Sequence, residues 1–383
     1  MTPSFRGERA SPSPQGRDRK TVLYHIDMHY VKFFKLPTLV NGGKQSAAVV
    51  KTTVAVSTDL GDDFFPNLLP LKFEVLGPGK KVLQSSTHQW KTGMRALSVE
   101  FALSKRPPTC RLRVSASESE YSTSFDLSDG ILVTPCIMPV VSGIFDEVSG
   151  GQTRDSDVER VIPLLENQDL RIYEATGDSI ARHIWDGSVA FSGLIDRASL
   201  GKSGVPFLDK TLCGADTSNS FRAIELGAGV GLAGLTLAHL VPGANIMLTD
   251  VPEVEQLLER SIAANDMDPK TVHFGVLDWE QPITPQFKQH VFDLILISEC
   301  TYNEDSIPAL VGVISNLADF SPQATILVAT KQRHKNERIF YHLMEQARFV
   351  ITHETHVLSP RNYTPHDFDD ADRVNVYTFR LVT

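Results

Sequence analysis

The chain has 383 residues and 42.3 kDa, with 42% hydrophobic and 22% charged residues. That balance excludes a fibrous or wholly disordered protein and leaves room for two or three domains. Basic residues number 37 against 46 acidic ones, for a net charge of −9, which argues against a broad phosphate-binding surface and direct nucleic-acid binding. Cys110, Cys136, Cys213 and Cys300 form no C-x-x-C pair, so neither a disulfide scaffold nor a cysteine zinc site is expected.

Residues 1–20 read as a disordered tail of Ser, Pro, Gly and Arg, in which Arg6, Arg9, Arg17, Arg19 and Lys20 outnumber Glu8 and Asp18. The tail lacks the apolar centre of a signal peptide. The longest apolar run, residues 131–141, is interrupted by Pro135 and Pro139 and is too short to cross a bilayer. A reducing compartment, the cytoplasm or the nucleus, is therefore expected, with no membrane partner. Residues 21–145 carry period-two patterns: Leu71, Phe73 and Val75 alternate with Lys72 and Glu74, and Leu97, Val99, Phe101 and Leu103 with Ser98 and Glu100. Turns at Asn41-Gly42-Gly43, Gly77-Pro78-Gly79 and Asp129-Gly130 punctuate them, predicting an all-β, sandwich-like N-terminal domain. Asp59, Asp62 and Asp63 read as an acidic turn, since they lack a full calcium-ligand pattern. A Gly/Ser/acidic stretch predicts a linker over 146–160.

From 161 to 383 the rhythm changes. Apolar runs at 223–226, 245–249, 294–298 and 325–330 read as buried parallel strands, with helical stretches at 230–240, 254–264, 306–318 and 336–347. Two final strand patterns, 350–357 and 374–381, are joined by a polar loop rather than a helix, which predicts an antiparallel pair at one sheet edge. The fold class expected is α/β, a Rossmann-like sheet with an antiparallel edge hairpin.

The segment from Phe221 to Gly234, FRAIELGAGVGLAG, runs from a strand through a glycine-rich turn into a helix. Such a turn lets the backbone approach a ligand closely at a helix N-terminus. Gly229-x-Gly231-x-x-Gly234 also satisfies the dinucleotide pattern, and a helix-packing glycine cluster is a third reading. Glu225 favours S-adenosylmethionine: a carboxylate at the strand tip repels a pyrophosphate and suits an amino-acid ammonium. Gly227, Gly229 and Gly231 would form the turn, and Asp250, closing the next strand, can accept both ribose hydroxyls. Asp278 and Trp279 follow on the loop expected to reach the adenine, one as acceptor and one as a stacking surface.

In order along the chain stand LRIYEATGDSIARHIW from Leu170 to Trp185, Asp186-Gly187, the Glu225 glycine turn, Thr249-Asp250, Asn265, Asp278-Trp279 and Glu299-Cys300-Thr301-Tyr302. The ordered set resembles the family-16, methyltransferase-like group of seven-β-strand protein-lysine methyltransferases, over about residues 165–383. The resemblance implies that group's strand order, S-adenosylmethionine as cofactor and a protein substrate such as a translation elongation factor or a chaperone. It also implies that Trp185 lies beside the cofactor, where cation–π attraction suits a sulfonium. The family's Asp-x-x-Tyr motif appears here as Glu299 to Tyr302, a carboxylate one methylene longer. Glu299 would hold the incoming ammonium and Tyr302 wall the channel. Asn265 reads as a helix C-terminal cap, and Lys331-Gln332-Arg333-His334 as a solvated basic loop. A cofactor-binding adaptor without activity, a small-molecule methyltransferase and an NAD-dependent oxidoreductase are the alternatives.

Overall fold

The computed structural model describes residues 28–43, 46–117, 137–165, 168–177, 179–213, 221–331, 338–358 and 373–382. The tail at 1–20, Cys136 and the loop at 332–334 lie outside them. The chain opens with strands β1 (His29–Asn41), β2 (Ala48–Ser57), β3 (Leu69–Leu76), β4 (Val82–Trp90), β5 (Leu97–Leu103) and β6 (Thr109–Ala116). Three short strands follow, β7 (Ile137–Met138), β8 (Val140–Val141) and β9 (Phe145–Asp146). Next come β10 (Val158–Leu164) and β11 (Gln168–Glu174). One sheet has the order β5-β2-β1-β7, the other β11-β10-β8-β6-β3-β4 with β9 beside β6. The alternating apolar residues of both meet in one cluster, where Val50 and Val54 of the first sheet join Leu71, Phe73, Leu112 and Trp90 of the second.

The third sheet is parallel in its main body. It holds β12 (Arg222–Leu226), β13 (Asn245–Asp250), β14 (Val272–Val276), β15 (Leu294–Ser298) and β16 (Thr325–Lys331). The antiparallel β17 (Phe349–Leu358) and β18 (Arg373–Leu381) complete the order β14-β13-β12-β15-β16-β18-β17. Helices α1 (Asp186–Ala198), α2 (Pro206–Leu212), α3 (Leu232–Leu240), α4 (Glu255–Ala264), α5 (Pro285–Lys288), α6 (Ile307–Phe320) and α7 (Arg338–Gln346) are interleaved with it. Every residue of β15 is buried, as a strand covered on both faces requires. The order reverses between β12 and β15, the point where the carboxyl ends of parallel strands open a crevice. Strand β14 had no continuous apolar run, because as an edge strand it is only partly buried.

The expected boundary at 146–160 falls inside a sheet. Strand β10 begins within the expected linker and ends within the expected catalytic domain, and it pairs with β11 along its length and with β8 at Glu159 and Val141. The core runs across the same boundary. Met28, Tyr30 and Met138 share one cluster with Ile162, Leu170 and Ile172 and with Val189, Phe191 and Leu194 of α1. Buried charge disguised these strands in the sequence: Glu159 and Arg160 are 2% and 1% exposed, satisfied by Arg111 and Glu174 respectively. Asn265 does more than cap α4. Its carboxamide accepts from the Arg171 N–H and donates to the Arg171 and Ser261 carbonyls, and the Ser261 hydroxyl accepts from the Tyr173 N–H. Helix α4 thereby covers the outer edge of β11, which would otherwise expose unpaired backbone groups.

Candidate active site

The carboxyl ends of β12, β13, β14 and β15 and the segment before α1 enclose a cavity of about 280 Å³. Along it lie Trp185, Gly227, Gly229, Asp250, Asp278, Trp279, Glu299 and Tyr302, which the sequence had placed apart over more than a hundred residues. Gly227 and Gly229 hold φ of 66° and 53°, the left-handed region that a side chain disfavours. A Cβ at Gly227 would stand 2.5 Å from Cys300 Sγ and 3.0 Å from the Trp279 ring. The turn therefore accepts glycine on both conformational and steric grounds. Asp250 is fixed by two backbone donors, the Gly229 and Val251 N–H groups at 2.7 Å each. Burial raises its pKa. Trp185 heads α1 half-buried, its indole N–H donating to the Ile180 carbonyl at 3.1 Å.

Glu225 and Gly231 stand elsewhere. Glu225 is 1% exposed and turned away from the cavity, its carboxylate accepting from the Gly234 N–H at 2.9 Å. Burial, with Asp250 nearby, pushes its carboxyl up to about 8, and no cation is among the groups acting on it. Glu225 thus braces the turn against α3 and does not line the cavity, where it had been expected to face a ligand's ammonium. Gly231 starts α3, where a Cβ would meet Leu258 Cδ2 at 2.4 Å; it serves packing between α3 and α4.

Glu299 leaves β15 at φ 57°. A non-glycine residue pays about 1–2 kcal/mol for that geometry, so its surroundings must hold it. Its N–H donates to the Ala329 carbonyl, and its carboxylate accepts from the Lys331 N–H at 2.7 Å. Gly187 leaves the room: a Cβ there would lie 2.0 Å from Glu299 Oε1. Tyr302 is half exposed at the rim, and partial burial raises its pKa.

Sequence reasoning missed the network behind Glu299. Lys331, expected in a solvated basic loop, donates through Nζ to Asp186 at 2.8 Å, and the pair is largely buried. The other Asp186 oxygen accepts from the Tyr30 hydroxyl at 3.0 Å. The Asp186 N–H donates to Asp59, the first residue of the acidic turn. Tyr30 and Asp186 are 156 residues apart, and no local pattern joins them.

The residues present fit S-adenosylmethionine by the chemistry of the donor set. Four carboxylates (Asp250, Asp278, Glu280 and Glu299) line the cavity together with His183, and among the described residues no Lys or Arg does. Such a lining suits a sulfonium and opposes the pyrophosphate of a dinucleotide. Among the described residues, no group of three or more His, Cys, Asp or Glu is arranged to hold a metal, and no helix is long and apolar enough to cross a membrane.

Residues 164–347 match the family described as lysine methyltransferase. A UPF0665 family protein of Schizosaccharomyces pombe is 29% identical over 175 residues, 45% of this chain and 49% of that protein. The Protein-lysine N-methyltransferase EFM6 of Saccharomyces cerevisiae is 28% identical over 209 residues, 51% of this chain and 80% of its own length. The EEF1A lysine methyltransferase 3 of Mus musculus is 27% identical over 173 residues, 44% and 63% of the two chains. The match thus spans about half the length of the first relative, and the family match at 164–347 takes in the residues that line the cavity. The glycine turn and the acidic cavity lie in the same segment, residues 164–347, that matches the lysine methyltransferase family.

Proposed function

We propose that the protein is an S-adenosylmethionine-dependent protein-lysine N-methyltransferase, with the β-rich first part serving substrate recognition. The observation that carries this reading is the cavity lining, four carboxylates and, among the described residues, no Lys or Arg, beside the glycine turn. Asp250 would accept the ribose hydroxyls, Asp278 and Trp279 would receive the adenine, and the backbone at Gly227 and Gly229 would face the amino-acid portion. When bound, the cofactor supplies an electrophilic methyl group. Trp185 offers a π face to the positive charge. The relative named for EEF1A makes a translation elongation factor the first protein substrate to try.

A lysine ammonium must lose its proton before it can accept a methyl group. With an ordinary pKa of 10.4, that costs about 4.6 kcal/mol at pH 7. Glu299 by itself would stabilise the ammonium, so its contribution is to draw the side chain in and aim it. Enclosure beside Tyr302 removes water and lowers the amine's proton affinity. Proximity and alignment then do most of the catalytic work. The carboxylate's geometry is set by the Lys331 N–H and by the absence of a side chain at Gly187.

The test is radiolabelled methyl transfer into lysate from cells lacking the protein, with wild type and Glu299→Ala compared. Wild type should label a protein on lysine. Glu299→Ala should lose about 100-fold or more of that activity while keeping cofactor affinity within several-fold. Unchanged turnover of the variant at saturating substrate would remove Glu299 from the site.

A further inference from the structure

A second cavity, about 370 Å³, lies against the first. The two share Ile180, His183 and Trp185 as a common wall. The far wall comes from the β-rich part: Phe33 and Phe34 of β1, and Leu60 in the turn after β2. Its walls are held in place. Lys32 Nζ donates to the Thr58 and Asp59 carbonyls at 2.9 and 2.8 Å, tying β1 to the turn that carries Leu60. The Trp185 indole is pinned to the Ile180 carbonyl on the opposite side.

The lining is mixed: Lys32, Asp59, Arg160, Glu174 and His183 contribute to it, while its large exposed side chains are apolar. Phe34, Leu60 and Ile180 are 56%, 55% and 53% exposed, and all three line this one cavity. Large apolar side chains that converge, exposed, on a preformed hollow mark a contact surface. Next to Leu60 stand the exposed Asp62 and Asp63, and across the shared wall lies the first cavity, where Glu299 would meet the acceptor lysine. We propose that the second cavity seats a bulky apolar side chain of the substrate protein, carried a few residues from the acceptor lysine in a basic segment. The inference rests on the methyltransferase reading above. Continuity with the first cavity selects the occupant: the two spaces share Ile180, His183 and Trp185 as a wall, and an extended chain advances about 3.3 Å per residue. Phe34 and Leu60 then read the neighbour of the lysine, and the β-rich part chooses substrates at the cavity itself.

The experiment uses the full chain, tritiated S-adenosylmethionine and, as acceptor, the protein most strongly labelled by wild type in lysate, made recombinantly. Phe34→Ser with Leu60→Ser should raise KM for that acceptor at least tenfold. The value of kcat and the affinity for S-adenosylhomocysteine should stay within twofold. Val148→Ser, at an 88% exposed position outside both cavities, should behave as wild type. Replacing the bulky apolar neighbour of the acceptor lysine by Ser should reproduce the rise in KM, and combining it with the enzyme variant should add little, the mark of a direct contact. An unchanged KM, fully additive effects, or a fall in kcat at constant KM would overturn the proposal. A wild-type dimer in light scattering that the double substitution dissolves would overturn it in favour of a second copy as occupant. Labelling by wild type with any of these results leaves the methyltransferase reading standing, whereas no labelling by wild type at all would overturn both.

Discussion

Where the β-rich part meets the parallel sheet, buried charges come in opposite pairs. Arg160 donates to Glu174 at 2.6 Å, with both side chains almost fully enclosed, and Lys331 donates to Asp186 at 2.8 Å. At the carboxyl ends of the parallel strands, Glu225 and Asp250 are enclosed as well, yet no cation acts on either, and burial raises the pKa of both. For Glu174 burial works in the same direction, but Arg160, the His183 ring and the Ile184 N–H overrule it and hold the carboxyl at about 2. A buried carboxylate beside a fixed guanidinium is a closed structural joint. Asp250 lines the cavity and with Asp278, Glu280 and Glu299 leaves room there for a positively charged ligand, whereas Glu225 is turned back to the Gly234 N–H and braces the glycine turn. The seam and the site thus use one physical cost, desolvation, for different ends.

The largest expected effect removes the seam altogether. A fragment starting at Ser156 keeps the whole lysine methyltransferase region but strips β8 from β10 and removes Met28, Tyr30 and Met138 from the shared core. Each large apolar side chain is worth about 2 kcal/mol when buried, against a total stability of about 5–15 kcal/mol. Losing partners for both a sheet edge and a core should leave the fragment without a cooperative unfolding transition by circular dichroism and without cofactor binding. A fragment that melts sharply and binds S-adenosylmethionine would show that the two parts fold apart.

The next effect breaks one joint. Arg160→Met leaves the Glu174 carboxylate enclosed without its main partner, and should cost about 3–5 kcal/mol in denaturant unfolding. Arg160→Met with Glu174→Leu should recover much of that loss, because the uncompensated charge is gone. Equal losses in the single and double variants would mean that packing, not charge, holds the seam.

The parallel half was legible because its signals are local. Continuous apolar runs, glycines at fixed spacing and strand-end carboxylates brought out β12, β13, β15 and β16 and several residues of the cavity lining, Gly227, Gly229 and Asp250 among them. The seam was not legible, since its determinants are pairs distant in sequence. Arg160 and Glu159 break the apolar pattern of β10 until Glu174 and Arg111 are brought to them. The role of Glu225 was misjudged for a related reason. Two acids at neighbouring strand tips look alike in sequence, but Asp250 lines the cavity and Glu225 turns back to the Gly234 N–H.

A third effect acts only at the open end. Gly227→Arg drives a side chain towards Cys300 and Trp279 from a left-handed backbone position. Cofactor affinity measured by calorimetry should fall about 100-fold or more, nearly 3 kcal/mol, while the protein still unfolds cooperatively. Undiminished affinity in a folded variant would remove the glycine turn from the cofactor site.

The smallest effect concerns pH and tests the contrast at a single carboxyl. Glu225 has its pKa raised to about 8 in the folded protein, against about 4.3 for an unfolded glutamate. The folded state therefore holds this proton more tightly than the unfolded state. Its contribution to stability is complete below the unfolded value and is lost progressively as pH rises towards 8. Between pH 5 and pH 7 the linked loss should be about 2.5 kcal/mol. Glu225→Gln keeps an acceptor for the Gly234 N–H but cannot ionise. Unfolding free energies of the two proteins should consequently diverge over that range, the variant gaining on wild type with each step in pH, and the difference should level off above about pH 8. A Glu174→Gln comparison should show no such slope above pH 5, because that carboxyl is already ionised in both states. A flat difference for Glu225 would mean that it is charged in the folded protein, and the distinction drawn between the seam and the site would fail there.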